Sequence, residues 1–149
     1  MANLSMIVGS VYGAAEEVAE RIKRALSQRH VESEVTSEPL VENFKEARVA
    51  LIVCSTTGEG DLPHNIESFF EQLEQSEPNL EKLRFAVVAL GDSRFKNTFC
   101  MAGRKFEGLL HRFKAQSVTE MLELDAKLSE QARQRQIDVW LDSFYLEVQ

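Results

Sequence analysis

Metal and disulfide chemistry have little to work with in this sequence. It holds two cysteines, Cys54 and Cys100, and no Cys-x-x-Cys pair. Neither a zinc site nor a disulfide framework is indicated. The histidines, His30, His64 and His111, are scattered without ligand spacing and read as ordinary polar residues. Long apolar runs are also missing. The longest, Val49–Cys54 and Phe85–Leu90, fall far short of the ~20 residues a bilayer-spanning helix needs. Met1-Ala2-Asn3 opens no basic segment followed by an apolar stretch. No secretory signal is read, and a reducing cytoplasm is the expected compartment. Basic charge is in deficit, with 17 Lys and Arg against 24 Asp and Glu and a formal net charge of −7. That excludes nucleic-acid binding by phosphate neutralisation and suits a soluble protein whose partners present basic patches.

What is present is a regular alternation. The 149 residues suit one domain over the whole chain, residues 1–149, with one sizeable core. Leu4–Val8, Val31–Thr36, Val49–Cys54, Phe85–Leu90 and Val118–Leu124 read as strands. Between them Ala14–Arg29, Ile66–Gln75, Ala102–Lys114 and Ser129–Leu146 carry helical periodicity. Their inward faces are expected to hold Val18, Ile22, Ala25 and Leu26, then Ile66, Phe69, Phe70 and Leu73, then Phe106, Leu109, Leu110 and Phe113. Strands alternating with helices predict a parallel sheet covered on both faces. Runs without polar alternation suit doubly buried central strands. The fold class expected is α/β, a three-layer sandwich around a five-stranded parallel sheet in the order 2-1-3-4-5. Ligands of such sheets lie beyond the carboxyl ends of the strands, which directs attention to three loops.

The first loop, Gly9-Ser10-Val11-Tyr12-Gly13-Ala14-Ala15, joins a strand to a helix. Glycines let its backbone turn tightly, and free N–H groups at a helix start suit a phosphate. A strand–helix turn without a ligand would read the same way. No lysine of a P-loop is present, so a P-loop nucleotidase is excluded. The second loop, Ser55-Thr56-Thr57-Gly58-Glu59-Gly60-Asp61-Leu62-Pro63, is dense in hydroxyls and glycine. It can read the N–H and C=O edge of a ring, or it is a long capped turn. The third runs from Gly91 to Cys100 and places Phe95 and Phe99 among polar residues. Phe95 is read as stacking on a flat ligand. Phe99, beside the next helix, either stacks or plugs the core.

Taken together, the loops resemble those of the flavodoxin family, including the FMN domains of diflavin reductases, and most closely the short bacterial flavodoxins of the MioC/YqcA type. The markers are Gly9-Ser10-x-x-Gly13, Ser55 to Pro63, and Leu90-Gly91-Asp92-Ser93 followed by Phe99-Cys100. The resemblance covers nearly the whole chain and implies non-covalent FMN binding. Ser10, Val11, Tyr12, Gly13, Ala14 and Ala15 would hold the phosphate. Ser55, Thr56, Thr57, Gly58, Glu59 and Gly60 would line one side of the isoalloxazine. Leu90, Gly91, Asp92, Phe95, Asn97, Thr98, Phe99 and Cys100 would line the other, with Phe95 where the family often has a stacking tyrosine. The family's phosphate loop usually carries further threonines, where this chain has Tyr12 and Ala15. Ser10 is left as the main hydroxyl, which points to weaker FMN binding. Thr57 stands where several relatives have an aromatic. That ring face is covered by Leu62 or left partly open.

The function this implies is electron transfer between redox partner proteins, a flavin-dependent reductase as donor and an acceptor enzyme. The protein would be a monomeric carrier rather than a stand-alone enzyme, with no nucleic acid or membrane involved. The Gly58–Glu59 peptide is expected to reorient with the redox state of the ring, since glycine tolerates both orientations. Residues 59–77 hold Glu59, Asp61, Glu67, Glu71, Glu74 and Glu77 and no Lys or Arg. Such a patch opposes further negative charge on the ring and steers basic partners. The 92–105 stretch sets Arg94, Lys96, Arg104 and Lys105 against Asp92 alone, and Arg94 is expected to favour the fully reduced flavin. Cys54 reads as an inert core residue. Cys100, near a helix start, reads as structural in preference to redox-active. The main rival is a degenerate module of the same fold that binds or regulates without flavin. A receiver domain would need an aspartate where Cys54 and Ser55 stand. A self-sufficient reductase would need a nicotinamide domain for which the chain has no room.

Overall fold

The structure is a computed structural model and describes residues 4–148. The reading of Met1-Ala2-Asn3 lies outside them. The elements run β1 (Leu4–Gly9), α1 (Ala14–Gln28), β2 (Ser33–Thr36), α2 (Val41–Glu46), β3 (Val49–Ser55) and α3 (His64–Ser76). They continue with β4 (Arg84–Gly91), α4 (Met101–Arg112), β5 (Gln116–Ser117), β6 (Leu122–Asp125) and α5 (Glu130–Val148). Every strand pairing is parallel and the order is β2-β1-β3-β4-β5, with β6 also on β4. This is the flavodoxin-like order.

Successive side chains of a strand point to opposite faces, so a strand covered on both sides must be apolar at every position. In β3, Ala50, Ile52 and Cys54 enter one core while Leu51 and Val53 enter the other. Phe85, Val87 and Ala89 of β4 alternate in the same way with Ala86 and Val88. The first core lies under α2, α3 and α4 and centres on Phe69 and Phe106, stacked at 6.2 Å. The second lies under α1 and α5 and includes Ala15, Ala19, Ile22 and Leu26, with Trp140 stacked on Phe144 at 5.1 Å.

The fifth strand departs from the expected Val118–Leu124. It is split into β5 and β6, both alongside β4. From Phe85 to Val88 β4 advances three residues, while its neighbour advances five, from Ser117 to Leu122. The surplus bulges out of the ladder, and the indole Nε1 of Trp140 donates to Glu120 O (2.8 Å) within it. Only one side of an edge strand needs pairing, so such a break is tolerated there. The sequence also shows no sign of α2. Six residues are too few to express a periodicity, and the buried Phe44, with Val41 partly buried beside the same core, anchors the helix. β2 begins at Ser33, later than expected, because His30 turns the chain with a positive φ of 65°.

Phe106 is fully buried and meets Phe70 edge-on at 5.0 Å. Phe106→Ala is expected to lower unfolding stability by about 3–5 kcal/mol. Glu71→Ala, on the exposed face of α3, should stay within about 0.5 kcal/mol. Urea unfolding of the two variants checks both.

Candidate functional site

Parallel register brings the three loops to one level. Gly9 pairs with Cys54, Ser55 with Leu90, and Gly91 with Asp125. The chain therefore leaves β1, β3, β4 and β6 along a common rim. A cleft of about 1360 Å³ opens there, above the 300–1,000 Å³ of ordinary small-molecule pockets. Val11, Tyr12 and Ala14 of the first loop line it, with Ser55, Thr56, Thr57 and Gly58 of the second and Leu90, Gly91, Asp92, Phe95 and Thr98 of the third. Ser10, Gly13, Glu59, Gly60 and Asn97 do not line it. Ala15 and Cys100 are fully buried, and Phe99 packs on the core.

The first loop presents unused donors. Gly13 takes a positive φ of 88° and starts α1, and its N–H donates to Ser10 Oγ (2.9 Å). The Ser10 N–H donates to Asn65 Oδ1 (3.1 Å). Among the described residues no acceptor reaches the N–H groups of Val11, Tyr12, Ala14, Ala15 or Glu16. Such free amides at the positive end of a helix fit a phosphate. Tyr12 is 96% exposed and Ala15 is sealed in the core, so neither supplies the hydroxyl usual at its place. Glu17 lines the cleft nearby and opposes an anion, which leaves the backbone as the main attraction.

The second loop is a small hairpin with a bonded base and a free tip. Thr57 N–H donates to Asp61 O (2.9 Å) and Asp61 N–H to Thr57 O (2.8 Å). Gly60 has φ 96°, and Lys105 Nζ donates to its carbonyl (3.0 Å). Thr56 Oγ1 accepts from Ala102 N–H (3.2 Å), joining the loop to α4. At the tip Gly58 has φ 48°. Neither its carbonyl nor the Glu59 N–H has a partner among the described residues. Leu62 lines the cleft while packing on the core.

The third loop is a run of turns, with Phe95 N–H on Asp92 O, Thr98 N–H on Phe95 O and Met101 N–H on Thr98 O. The Phe95 ring is 65% exposed at the cleft. Arg94 is folded onto Asp92 through its backbone N–H (3.0 Å) and its Nε (2.9 Å). The Arg94 hydrogen bonds lower the Asp92 carboxyl from 3.8 to about 2. Asp125 is also held below its ordinary value, chiefly by Ser93, whose N–H donates to Oδ1 (3.0 Å). Ala126 N–H donates to Gly91 O (2.8 Å). The loop after β6 thus buttresses the third loop.

That buttress, with Arg133 donating to Ala126 O and Leu128 O, is absent from the sequence reading, as are the α1 and α5 residues Arg21 and Ile137 on the cleft wall; Lys105 reads there only as part of a basic stretch, not as a support of the second loop. No motif marks them. They arrive from elements distant in sequence. Asn65, at the start of α3, belongs to no motif either. Among the described residues no cluster of His, Cys, Asp and Glu could hold a metal ion, and no helix is long and apolar enough to cross a membrane.

Both thiols are driven up to about 12, Cys54 by burial and then by Cys100, Cys100 chiefly by burial. A thiolate at the α4 start therefore does not form at neutral pH. Both thiols should resist an aromatic disulfide reagent at pH 8 in the native state and react after unfolding. The unfolded state ionises near 9 and the folded state near 12, so stability present below pH 9 is lost as pH rises above it. Asp92 runs the other way. Its contribution is present above pH 4 and lost as pH falls through about 2. Carboxyl NMR titration of Arg94→Ala should return it toward 3.8.

Comparison with known proteins places these features. The flavodoxin family profile matches residues 6–140. Protein MioC of Escherichia coli K12 is 33% identical over 145 residues, covering 95% of this chain and 98% of that one. Flavodoxin YqcA of the same strain is 38% identical over 128 residues, 85% of each chain. Among solved structures, a cysteine-to-alanine mutant of a flavodoxin from Pseudomonas aeruginosa superimposes with a TM-score of 0.87 at 31% identity, covering 97% of both chains. The free amides of the first loop and the cleft between the other two fit the group that such proteins carry, and the chain belongs to the flavodoxin family of FMN-binding electron-transfer proteins.

Proposed function

We propose that this protein carries electrons between a flavin-dependent reductase and an acceptor enzyme, as a cytoplasmic monomer with FMN held in the rim cleft. The observation that carries the reading is the set of five unpartnered amides, of Val11, Tyr12, Ala14, Ala15 and Glu16, at a cleft also lined by the polar second loop and by Phe95. FMN supplies the redox chemistry when bound, taking up and releasing one or two electrons. The chain supplies the rest. The five amides and the Ser10 hydroxyl bind the phosphate. Ser55 to Gly60 and Leu90 to Cys100 enclose the ring, the latter with Phe95 as the exposed stacking face and with Phe99 and Cys100 as support from the core. The Gly58–Glu59 peptide can present either its C=O or its N–H to the ring. Lys105 and the Thr57–Asp61 bonds keep the base of the hairpin still meanwhile. Glu59, Asp61 and Glu67 stand exposed beside the cleft and favour docking of a basic partner surface.

Titration of the apoprotein with FMN tests the reading. One equivalent should bind and give the yellow flavin spectrum. Failure to bind would favour the rival of a degenerate binding module. With a basic redox partner, the association rate should fall as salt is raised. At the tip of the hairpin, φ 48° is strained for a β-branched residue. Gly58→Val is expected to shift the one-electron potential by about 60 mV or more, a tenfold change in that equilibrium, with FMN affinity changed far less. Spectroelectrochemistry showing an unaltered potential would reject a role for this peptide.

A further inference from the structure

Asn65 is the second residue of α3. Although its side chain lies at the surface, its polar atoms are all engaged. Nδ2 donates to Val8 O (2.7 Å) and to Ser37 O (2.9 Å), and Oδ1 accepts from Ser10 N–H (3.1 Å). The orientation of the amide is set by these partners, since the two carbonyls require donors and the N–H an acceptor. One side chain thus ties the end of β1, the segment after β2 and the start of the first loop to α3. Its neighbour Ile66 holds that end of α3 in place. A Cβ on Gly9 would overlap Ile66 Cδ1, so strand end and helix start are in direct apposition.

The consequence falls on Ser10. With its N–H taken by Asn65, its Oγ accepts from Gly13 N–H (2.9 Å), and the segment between them is folded over the start of α1. The amides left without acceptors among the described residues lie beyond Ser10, those of Val11, Tyr12, Ala14, Ala15 and Glu16. A loop held in its binding shape loses less entropy when an anion arrives.

We infer that Asn65 is a positioning residue for the phosphate of FMN, acting through the Ser10 backbone without touching the ligand. This rests on the reading that Val11 to Glu16 receive that phosphate. It separates phosphate from ring. Riboflavin has the same ring without the phosphate, so its binding does not draw on the free amides of the first loop.

The test compares dissociation constants of FMN and riboflavin in the wild type, Asn65→Ala and Asn65→Asp. In Asn65→Ala FMN affinity should fall at least tenfold and riboflavin affinity less than twofold. Asn65→Asp keeps the acceptor for Ser10 but turns a carboxylate toward two carbonyls and adds negative charge near the amides. Its FMN loss should be larger and should grow as salt is lowered. Equal losses for both ligands would reduce Asn65 to a general structural role and overturn the inference alone. Wild-type protein that binds no FMN would overturn the inference and the reading beneath it. Hydrogen exchange on the wild-type apoprotein gives an answer even where a variant fails to fold. The Ser10 amide should be protected while those of Val11 and Tyr12 exchange freely, and an unprotected Ser10 amide would also sink the inference.

Discussion

Parallel strands hydrogen-bonded in register must end together, and that alignment governs the rest of the molecule. Gly9, Cys54 and Ala89 form one row across the sheet, and Ser55, Leu90 and Leu124 the next. Loops that leave from such rows converge whatever their sequences. Convergence in turn depends on β3 and β4 remaining buried on both faces. The cost of ordering them is offset by apolar area on either side, which is why neither strand admits a polar residue between Ala50 and Cys54 or between Phe85 and Ala89.

At the rim the accounting reverses. Within the sheet nearly every backbone group has a partner, as burial demands. Beyond it the first loop leaves five amides open, and the second leaves one peptide unpaired at the hairpin tip. These groups are unsatisfied within the protein and so available to something else. The groups around them are fully engaged. Asn65, Lys105 and Asp125 each commit side-chain hydrogen bonds to loop backbone, and Thr56 ties its own loop to α4. The site is therefore a set of free donors in a rigid frame, the arrangement that makes binding specific at low entropic cost.

Electrostatics follow the same division. The acidic stretch on α3 has no Lys or Arg within it and keeps its field toward solvent. The basic stretch is largely answered. Arg94 is folded onto Asp92 and Arg104 onto Glu123, while Lys105 is spent on Gly60 O. Arg94 is not among the residues that line the cleft, and its charge is offset by Asp92, which its position in the sequence did not disclose. Two of these cations, Arg94 and Arg104, are thus paired with carboxylates outside the acidic stretch and do not compensate that stretch.

The sequence by itself determined the strand and helix alternation, the central place of Val49–Cys54 and Phe85–Leu90, and the three loops that carry the family resemblance. Those properties are local. Apolar periodicity and glycine placement report on segments a few residues long, and the chain order of βα units leaves few topologies open. Tertiary structure alone decided the broken fifth strand, the anchoring of α2 by Phe44, the burial of Ala15 and Cys100, and the packing of Phe99 on the core. It also decided the supports that Asn65, Lys105 and Asp125 lend to loops far from them in sequence. A hydrogen bond between residues 55 positions apart, as from Ser10 to Asn65, leaves no periodic trace. It exists because two segments were brought to one edge by strands that neither residue belongs to.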